Sequence, residues 1–360
     1  MNSNFTKIST QKIVVYGTGK IAERILTSVP KENVIGVLDK IRFTGFVCDC
    51  PIIMWEDIKA GMADVLIIAS TIKNYSTIYW RILDKCIALG IEIYGANGQN
   101  LMKYFGVGSS KQNICYTSDK EALKQKIKNY DVISFDVFDT LVMRKVFEPT
   151  DIFDIVEANL RKKNIKIVNF KRYRREAELQ SKGGNIYQIY NILRKNLLLD
   201  EQITQQILDE EIACEKKYIV AREEMIEIYK YAVELEKDIY IVSDMYLSSE
   251  IIKNLLSSFG IVKIDGIYVS CEYGVGKGNG LFNIVKSYIG NKSCIHIGDN
   301  HEADINGAIK VGIDAYEINS AFDLFHASSL HYTSSFAKTI NDKILLGLVA
   351  TELFNNPFIS

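Results

Sequence analysis

Histidine is scarce, net charge is almost nil and long apolar runs are missing, and each shortage removes a class of function. Four histidines in 360 residues, none at zinc-ligand spacing, leave no structural zinc site. A formal net charge of −1 gives no overall attraction to nucleic acid or to an anionic membrane. No segment approaches the ~18 consecutive apolar residues of a transmembrane helix. The N-terminal MNSNFTKISTQK lacks the apolar core of a signal peptide. The expectation is a cytoplasmic protein without membrane insertion. Seven cysteines, an odd number scattered along the chain, make no disulfide framework, and Cys48-x-Cys50 lacks the second pair of a metal site. They read as ordinary thiols. Internal repeats and low-complexity tracts are absent as well.

What is present is the balance of a folded globular protein, 48 % hydrophobic and 24 % charged, at a length that fits two domains. Residues 12–17 (KIVVYG), 34–39 (VIGVLD), 63–70 (ADVLIIAS) and 91–95 (IEIYG) are short runs rich in β-branched residues, which suit parallel strands buried on both faces. Ile78, Ile82 and Cys86 form a helical stripe between the last two. This alternation predicts a Rossmann-like N-terminal domain. Residues 100–130, with glycines, serines and a lysine-rich helix, read as a connector.

A second set of strands is expected at 132–136 (VISFD), 239–244 (IYIVSD), 266–270 (GIYVS), 294–299 (CIHIGD) and 314–318 (DAYEI). Between the first two lies a long helical stretch without a convincing strand. Ile186, Ile189, Tyr190, Leu193 and Leu197 form one apolar stripe, Met225, Tyr229 and Ala232 another, and Gly183 and Gly184 break two helices. The predicted fold class is α/β, with two Rossmann-like parallel-sheet domains and a helical insertion in the second. The expected bounds are 1–110, 111–325 with the insertion at 147–235, and a helical tail at 326–360. The tail's apolar content could dock on the core or on another subunit, so self-association stays open.

Four segments fall at predicted strand ends, where ligands bind in open parallel sheets. ISFDVFDTLV carries Asp136, a charge after a buried strand that must be paired or must hold a metal. IVSDMY carries Ser243, GVGKGNG carries Lys277 in a glycine-rich loop, and HIGDNHEAD carries Asp299 and Asp304. Asp136 supplies a carboxylate nucleophile. Asp299 and Asp304 supply hard oxygen ligands for Mg²⁺. Ser243 and Lys277 supply a hydroxyl donor and a cation for phosphoryl oxygens. Phosphoryl transfer needs mainly such positioning and charge neutralisation. Asp304 would equally cap the following helix, Asp244 could cap the helix after Ser243, and Lys263 and Lys286 are rivals of Lys277.

The order Asp-x-x-x-Thr, strand-end Ser, Lys, then Gly-Asp-x-x-x-x-Asp, over residues 130–320, resembles the motifs of the haloacid dehalogenase superfamily. The resemblance implies a Rossmannoid core and an aspartyl-phosphate intermediate on Asp136. It also implies Mg²⁺ held by Asp136, the Phe138 carbonyl and Asp299, with Asp304 as a ligand or an outer carboxylate. Thr140 and Ser243 would bind phosphate, and Lys277 would bridge the nucleophile and the phosphoryl group. The helical insertion would be the cap that selects substrates. FDVFDTL, FKRYRREAE, VSDMYL and IGDN further look like a bacterial subgroup often associated with surface-polysaccharide genes. A small phosphorylated sugar, polyol or amino alcohol is the substrate class so implied.

The family's usual general acid lies two residues after the nucleophile, where this chain has Phe138. Protonating the leaving alkoxide is typically worth ~10²–10⁴-fold. Asp139 could take over if a turn brings it back to the side of Asp136. Alternatively, a cap residue or the substrate donates the proton, or the reaction is not ester hydrolysis. Dehalogenase, phosphomutase and a regulatory scaffold with a degenerate site are the rival readings. Arg172, Arg174 and Arg175 suit a solvated face or a substrate-facing one equally. Arg144 and His301 are weaker candidates for the site entrance.

In the N-terminal YGTGKIAERIL, Gly17-x-Gly19-x-x-Ala22 follows a strand and opens a helix, and Asp39 ends the next strand. That is the setting of a nucleotide or NAD site. It is also what a tight turn with close packing requires.

Overall fold

In the computed structural model, which describes residues 11–40, 42–71, 74–105, 118–328, 330, 333–334, 337 and 339–358, the apolar runs form two separate parallel sheets. The chain is α/β. It divides into one unit of Met1–Gln112 with Ser328–Lys338, and another of Asn113–Ala327 with Thr339–Ser360.

The first unit contains β1 (Ile13–Tyr16), β2 (Val34–Leu38), a short hairpin of β3 (Phe46–Val47) and β4 (Cys50–Pro51), β5 (Val65–Ile68) and β6 (Glu92–Gly95). Its main sheet has the order β2-β1-β5-β6, with every pairing parallel. The two-residue alternation of strands sorts the core. Ile13, Val15 and Ile67 pack with Ala22, Ile25 and Leu26 of the Lys20–Ser28 helix. Val14, Leu66 and Ile68 pack with Tyr79, Ile82, Leu83 and Cys86 of the Tyr75–Leu89 helix. The hairpin had no expectation from the sequence. It turns through Cys48 and Asp49, both left-handed, with φ 48° and 64°. Cys48 and Cys50 are free thiols there.

The second unit contains β7 (Val132–Phe135), β8 (Val142–Arg144), β9 (Ile219–Ala221), β10 (Asp238–Ser243), β11 (Gly266–Val269), β12 (Cys294–Gly298) and β13 (Asp314–Glu317). Five of them form a parallel sheet in the order β11-β10-β7-β12-β13. The central strands are buried on both faces, which explains their continuous apolar runs. β8 and β9 pair antiparallel, where no strand was expected between β7 and β10. At three residues each they are too short to show a period. They bracket four helices, Asp151–Lys162, Phe170–Ser181, Ile186–Leu197 and Glu201–Lys217. The helical stretch therefore leaves and returns through one paired stem. The next helix, Glu223–Glu234, belongs with the sheet, as the Tyr229 ring meets Phe135 edge-on at 6.4 Å.

The connector expected at 100–130 is partly core. Its Lys120–Ile127 helix, capped by Asp119, buries Leu123 and Ile127 in the second unit. The expected boundary at 110 lies in 106–117, outside the described residues. In the tail, the Ile340–Leu353 helix starts on a Thr339 capping box, and Phe354 packs edge-on against Phe325 at 6.1 Å. Among the described residues, no helix is long and apolar enough to cross a membrane.

Candidate active site

Parallel pairing aligns the three strands that matter. Phe135 of β7 is in register with Ile241 of β10 and Ile297 of β12. Asp136, Ser243 and Asp299 therefore emerge at one edge of the sheet, where β7 separates strands reached by connections in opposite directions. Such a switch point leaves a crevice beyond the carboxyl ends.

Asp136 is buried, and its amide donates to the Ile297 carbonyl at 2.9 Å. Lys277 Nζ donates to Asp136 Oδ1 at 2.6 Å and also to Asp304 Oδ1. The Lys277 amide donates to Asp244 Oδ1 at 2.9 Å, so Asp244 aims the lysine loop and is no helix cap. Lys263 and Lys286 are committed elsewhere, to the carbonyls of Lys237 and Gly312. Asp304 sits in a wide π-type turn over His301–Asn306, a geometry often found at functional sites. The cap of that turn is Asn300, whose side chain accepts from the amides of Glu302 and Ala303. Asp304 is instead turned inward, its Oδ2 accepting from the Asn300 amide at 3.0 Å. Only glycine fits at 298, where a Cβ would fall 2.6 Å from the Asp304 Cβ.

His296 was not singled out by the sequence. It is buried on β12, with Nε2 3.1 Å from Asp304 Oδ1 and Nδ1 2.7 Å from Ser134 Oγ. A carboxylate only accepts, so the partners assign the proton to Nε2 and make Ser134 the donor to Nδ1. Burial keeps the imidazole pKa below its ordinary value, in keeping with a neutral ring. The available signal was a polar residue at the same register in two adjacent apolar strands, Ser134 opposite His296.

The carboxylates of Asp136, Asp299 and Asp304 offer oxygens that all lie within 4.8 Å of one another. Burial pushes the Asp136 pKa up to about 7, against the pull of Lys277. Burial also drives Asp299 well up, reinforced by Asp139, Asp136 and Asp304. Burial works against the Asp304 carboxylate too, but Lys277 and His296 outweigh it and hold that pKa below the usual range. Three carboxylates against one ammonium leave two negative charges, a deficit that a divalent cation matches. Asp304 already serves Lys277, His296 and Asn300, so Asp136 and Asp299 are the better placed ligands.

Two hydroxyls complete the cluster. Thr140 is buried and donates to Asp299 Oδ1 at 3.3 Å. Ser243 is 1 % exposed, and its hydroxyl makes no hydrogen bond among the described residues. A buried hydroxyl without a partner is costly and marks a place for a ligand acceptor.

Phe138 lies under the Arg144 guanidinium, 4.0 Å from the ring centroid, and Arg144 forks onto Glu215 at 2.9 and 3.2 Å. Asp139 is left-handed, with φ 59°, and its amide donates to the Val142 carbonyl at 2.7 Å. The chain therefore does turn there. Burial raises the Asp139 pKa, opposed by Arg144 and Arg222, and its charge in turn raises that of Asp299.

Other residues singled out lie apart from this cluster. Arg174 is fully buried and forks onto Glu211 at 2.8 and 2.8 Å, with the Tyr190 hydroxyl donating to the same carboxylate. It holds inserted helices together and is out of reach of solvent. Arg172 is exposed and reaches Glu176 at 3.0 Å, Arg175 is half-buried, and His301 pairs with Glu317 at 2.8 Å on the surface. Gly17, Gly19 and Asp39 belong to the first unit. Gly17 has φ 119°, donates to the Leu38 carbonyl at 2.7 Å and leaves a Cβ only 3.2 Å from the Ala69 carbonyl oxygen. Gly19 precedes the Lys20–Ser28 helix. Asp39 accepts from Thr18 Oγ1 at 2.9 Å and the Arg42 amide at 3.0 Å. These contacts are those of a tight turn and a fixed loop.

No family model matches the chain, and no curated protein does. Solved structures similar to it include YfnB of Bacillus subtilis, a HAD-hydrolase candidate bound to magnesium, at 20 % identity and a TM-score of 0.38, covering 55 % of this chain and 97 % of that one. A HAD phosphatase of Thermococcus onnurineus is 18 % identical with a TM-score of 0.36, over 52 % of this chain and 86 % of that one. A 2-haloacid dehalogenase of Pseudomonas syringae is 14 % identical with a TM-score of 0.40, over the same shares, 52 % and 86 %. At such identities the likeness says nothing of activity. The chemistry has to be read from the side chains themselves.

Proposed function

We propose that the second unit is a Mg²⁺-dependent phosphatase of the haloacid dehalogenase type, acting on small phosphomonoesters. The observation that carries this reading is a buried Asp136 beside Lys277 and Asp299, with the Ser243 hydroxyl, unpartnered among the described residues, at the neighbouring strand end. Asp136, Asp299 and the Phe138 carbonyl would hold Mg²⁺, which when bound would neutralise charge on the phosphoryl oxygens.

An Asp136 carboxylate oxygen attacks phosphorus, and the bond from phosphorus to the alcohol oxygen breaks. Asp139 gives its proton to the leaving oxygen. It then takes a proton from the water that attacks the same phosphorus, releasing phosphate and restoring Asp136. Lys277 holds Asp136 and faces the phosphoryl group. Ser243 donates to one of its oxygens, Thr140 keeps Asp299 in place, and Asp304 fixes Lys277. The four-helix insertion would cover the crevice. A phosphorylated sugar, polyol or amino alcohol used in surface-polysaccharide synthesis is the substrate class that the motif resemblance suggests.

The test is phosphate release from a panel of such esters with Mg²⁺, using Asp136→Asn and Asp139→Asn. Release that needs Mg²⁺ and Asp136 supports the reading, and loss in Asp139→Asn of ~10²-fold or more identifies the acid. No release from any ester, or chloride release from haloacids, would overturn it.

A further inference from the structure

Arg222 follows β9 and is fully buried, yet every hydrogen bond it makes among the described residues ends on a backbone carbonyl. Nη1 donates to Asp139 at 2.5 Å and Asn319 at 2.8 Å, Nε to Asn355 at 2.9 Å, and Nη2 to Phe354 at 3.5 Å. A buried guanidinium with no carboxylate fork is an expensive way to fill space. Its five donors can, however, collect carbonyls from separate segments at fixed angles. Here they gather the turn after Asp136, the residues after β13 and the end of the C-terminal helix.

The last of these segments is itself tied down. The Asn355 side chain accepts from the Glu223 amide and donates to the Ala221 carbonyl, both at 2.9 Å. Ser118 Oγ donates to the Pro357 carbonyl at 2.6 Å. The Phe354–Pro357 stretch thus straps the residues on either side of Arg222. Asp139, the residue so gripped, holds a left-handed conformation that a side chain adopts at a cost. It is followed by Thr140, the hydroxyl bonded to Asp299.

We propose that Arg222 is a positioning residue for the phosphate-ester chemistry, and that the C-terminal strap at Phe354 and Asn355 completes its socket. The tail thereby becomes part of the catalytic half of the chain. This inference rests on the phosphatase reading for its effect on turnover, but not for its effect on the turn.

The experiment compares the full-length chain with Arg222→Lys and Asn355→Ala. Two quantities are read: hydrogen exchange in the peptide spanning residues 135–143, and Mg²⁺-dependent turnover of p-nitrophenyl phosphate. Lysine keeps the charge but reaches one carbonyl in place of four. The expected result is faster exchange at the hydrogen-bonded amides of the turn, Asp139, Leu141 and Val142, in both variants. kcat should fall ~10²-fold in Arg222→Lys and less in Asn355→Ala, with KM within threefold, as a displaced catalytic loop predicts. Unchanged exchange in that peptide for both variants, or a loss confined to KM, overturns the proposal. If the wild-type chain turns over no phosphate ester, the phosphatase reading fails by itself. The clamp is then judged on exchange alone, standing if the turn loosens and falling if it does not. Should Arg222→Lys fail to fold, Asn355→Ala decides by the same two readouts.

Discussion

Asp136→Asn should stabilise the metal-free protein while abolishing its activity. A carboxyl that titrates near 4 in the unfolded chain and at about 7 in the folded one costs the fold up to about 4 kcal/mol above pH 7. Its partners Asp299 and Asp304 readjust when it is removed, so the net gain should be about 2–4 kcal/mol. For a unit of this size that corresponds to a rise in Tm of about 5–10 °C. The sign follows from the raised pKa. The contribution of Asp136 to stability is intact below about pH 4 and is lost as pH rises through about 7. The variant should therefore melt with wild type at pH 4 and above it at pH 8. Mg²⁺ should erase most of the difference, because it stabilises the chain with the carboxylate more than the chain without. Differential scanning calorimetry in EDTA across this range, repeated with Mg²⁺, measures all three. An equal gain at pH 4 and pH 8, or no gain at pH 8 in EDTA, would show that burial does not penalise the Asp136 charge in the fold.

Gly298→Ala places a methyl 2.6 Å from the Asp304 Cβ, so it should cost about 1–3 kcal/mol in urea unfolding and move the carboxylate that holds Lys277. Ser243→Ala loses no hydrogen-bond partner among the described residues, so its unfolding free energy should stay within about 0.5 kcal/mol of wild type or rise. Its kcat/KM for a phosphate ester should nonetheless drop at least ~10-fold, as for a hydrogen bond to a charged group. Arg174→Met strands the buried Glu211 and should cost about 3–5 kcal/mol in urea unfolding, with Arg174→Met/Glu211→Leu recovering most of it.

The sheet strands were legible because burial on both faces writes continuous apolar runs, and every run in the second unit became a strand shifted by no more than one residue at either end. The four segments with site residues were legible for a related reason, since an acidic or hydroxyl residue ending such a run has no structural purpose in an apolar core. β8 and β9 left no trace, because three residues between helices show neither a period nor turn residues. The burial of Arg174 was not legible either. A helical arginine next to glutamates looks the same in sequence whether it faces water or a buried carboxylate, and the difference lies in Glu211, 37 residues away. Asp39 shows a spacing that two readings share: its place after the glycine loop suits a ribose, and its oxygens accept from Thr18 and the Arg42 amide.

Charge and backbone together shape what the site can hold. Lys277 opposes Asp136 and Asp304 directly, and the sheet and its following turns deliver the carboxylates of the cluster. Asp136 is anchored through its amide to Ile297, and Asp304 through Asn300 and His296. A flexible site would relieve the burial and repulsion of these charges by moving the groups apart. A rigid one keeps them together, and burial instead raises the pKa of Asp136 to about 7 and drives that of Asp299 well up, so that a divalent cation binds in exchange for protons. The burial that penalises the Asp136 charge in the metal-free fold is what a bound cation offsets, which is why the gain from Asp136→Asn should shrink as Mg²⁺ is raised.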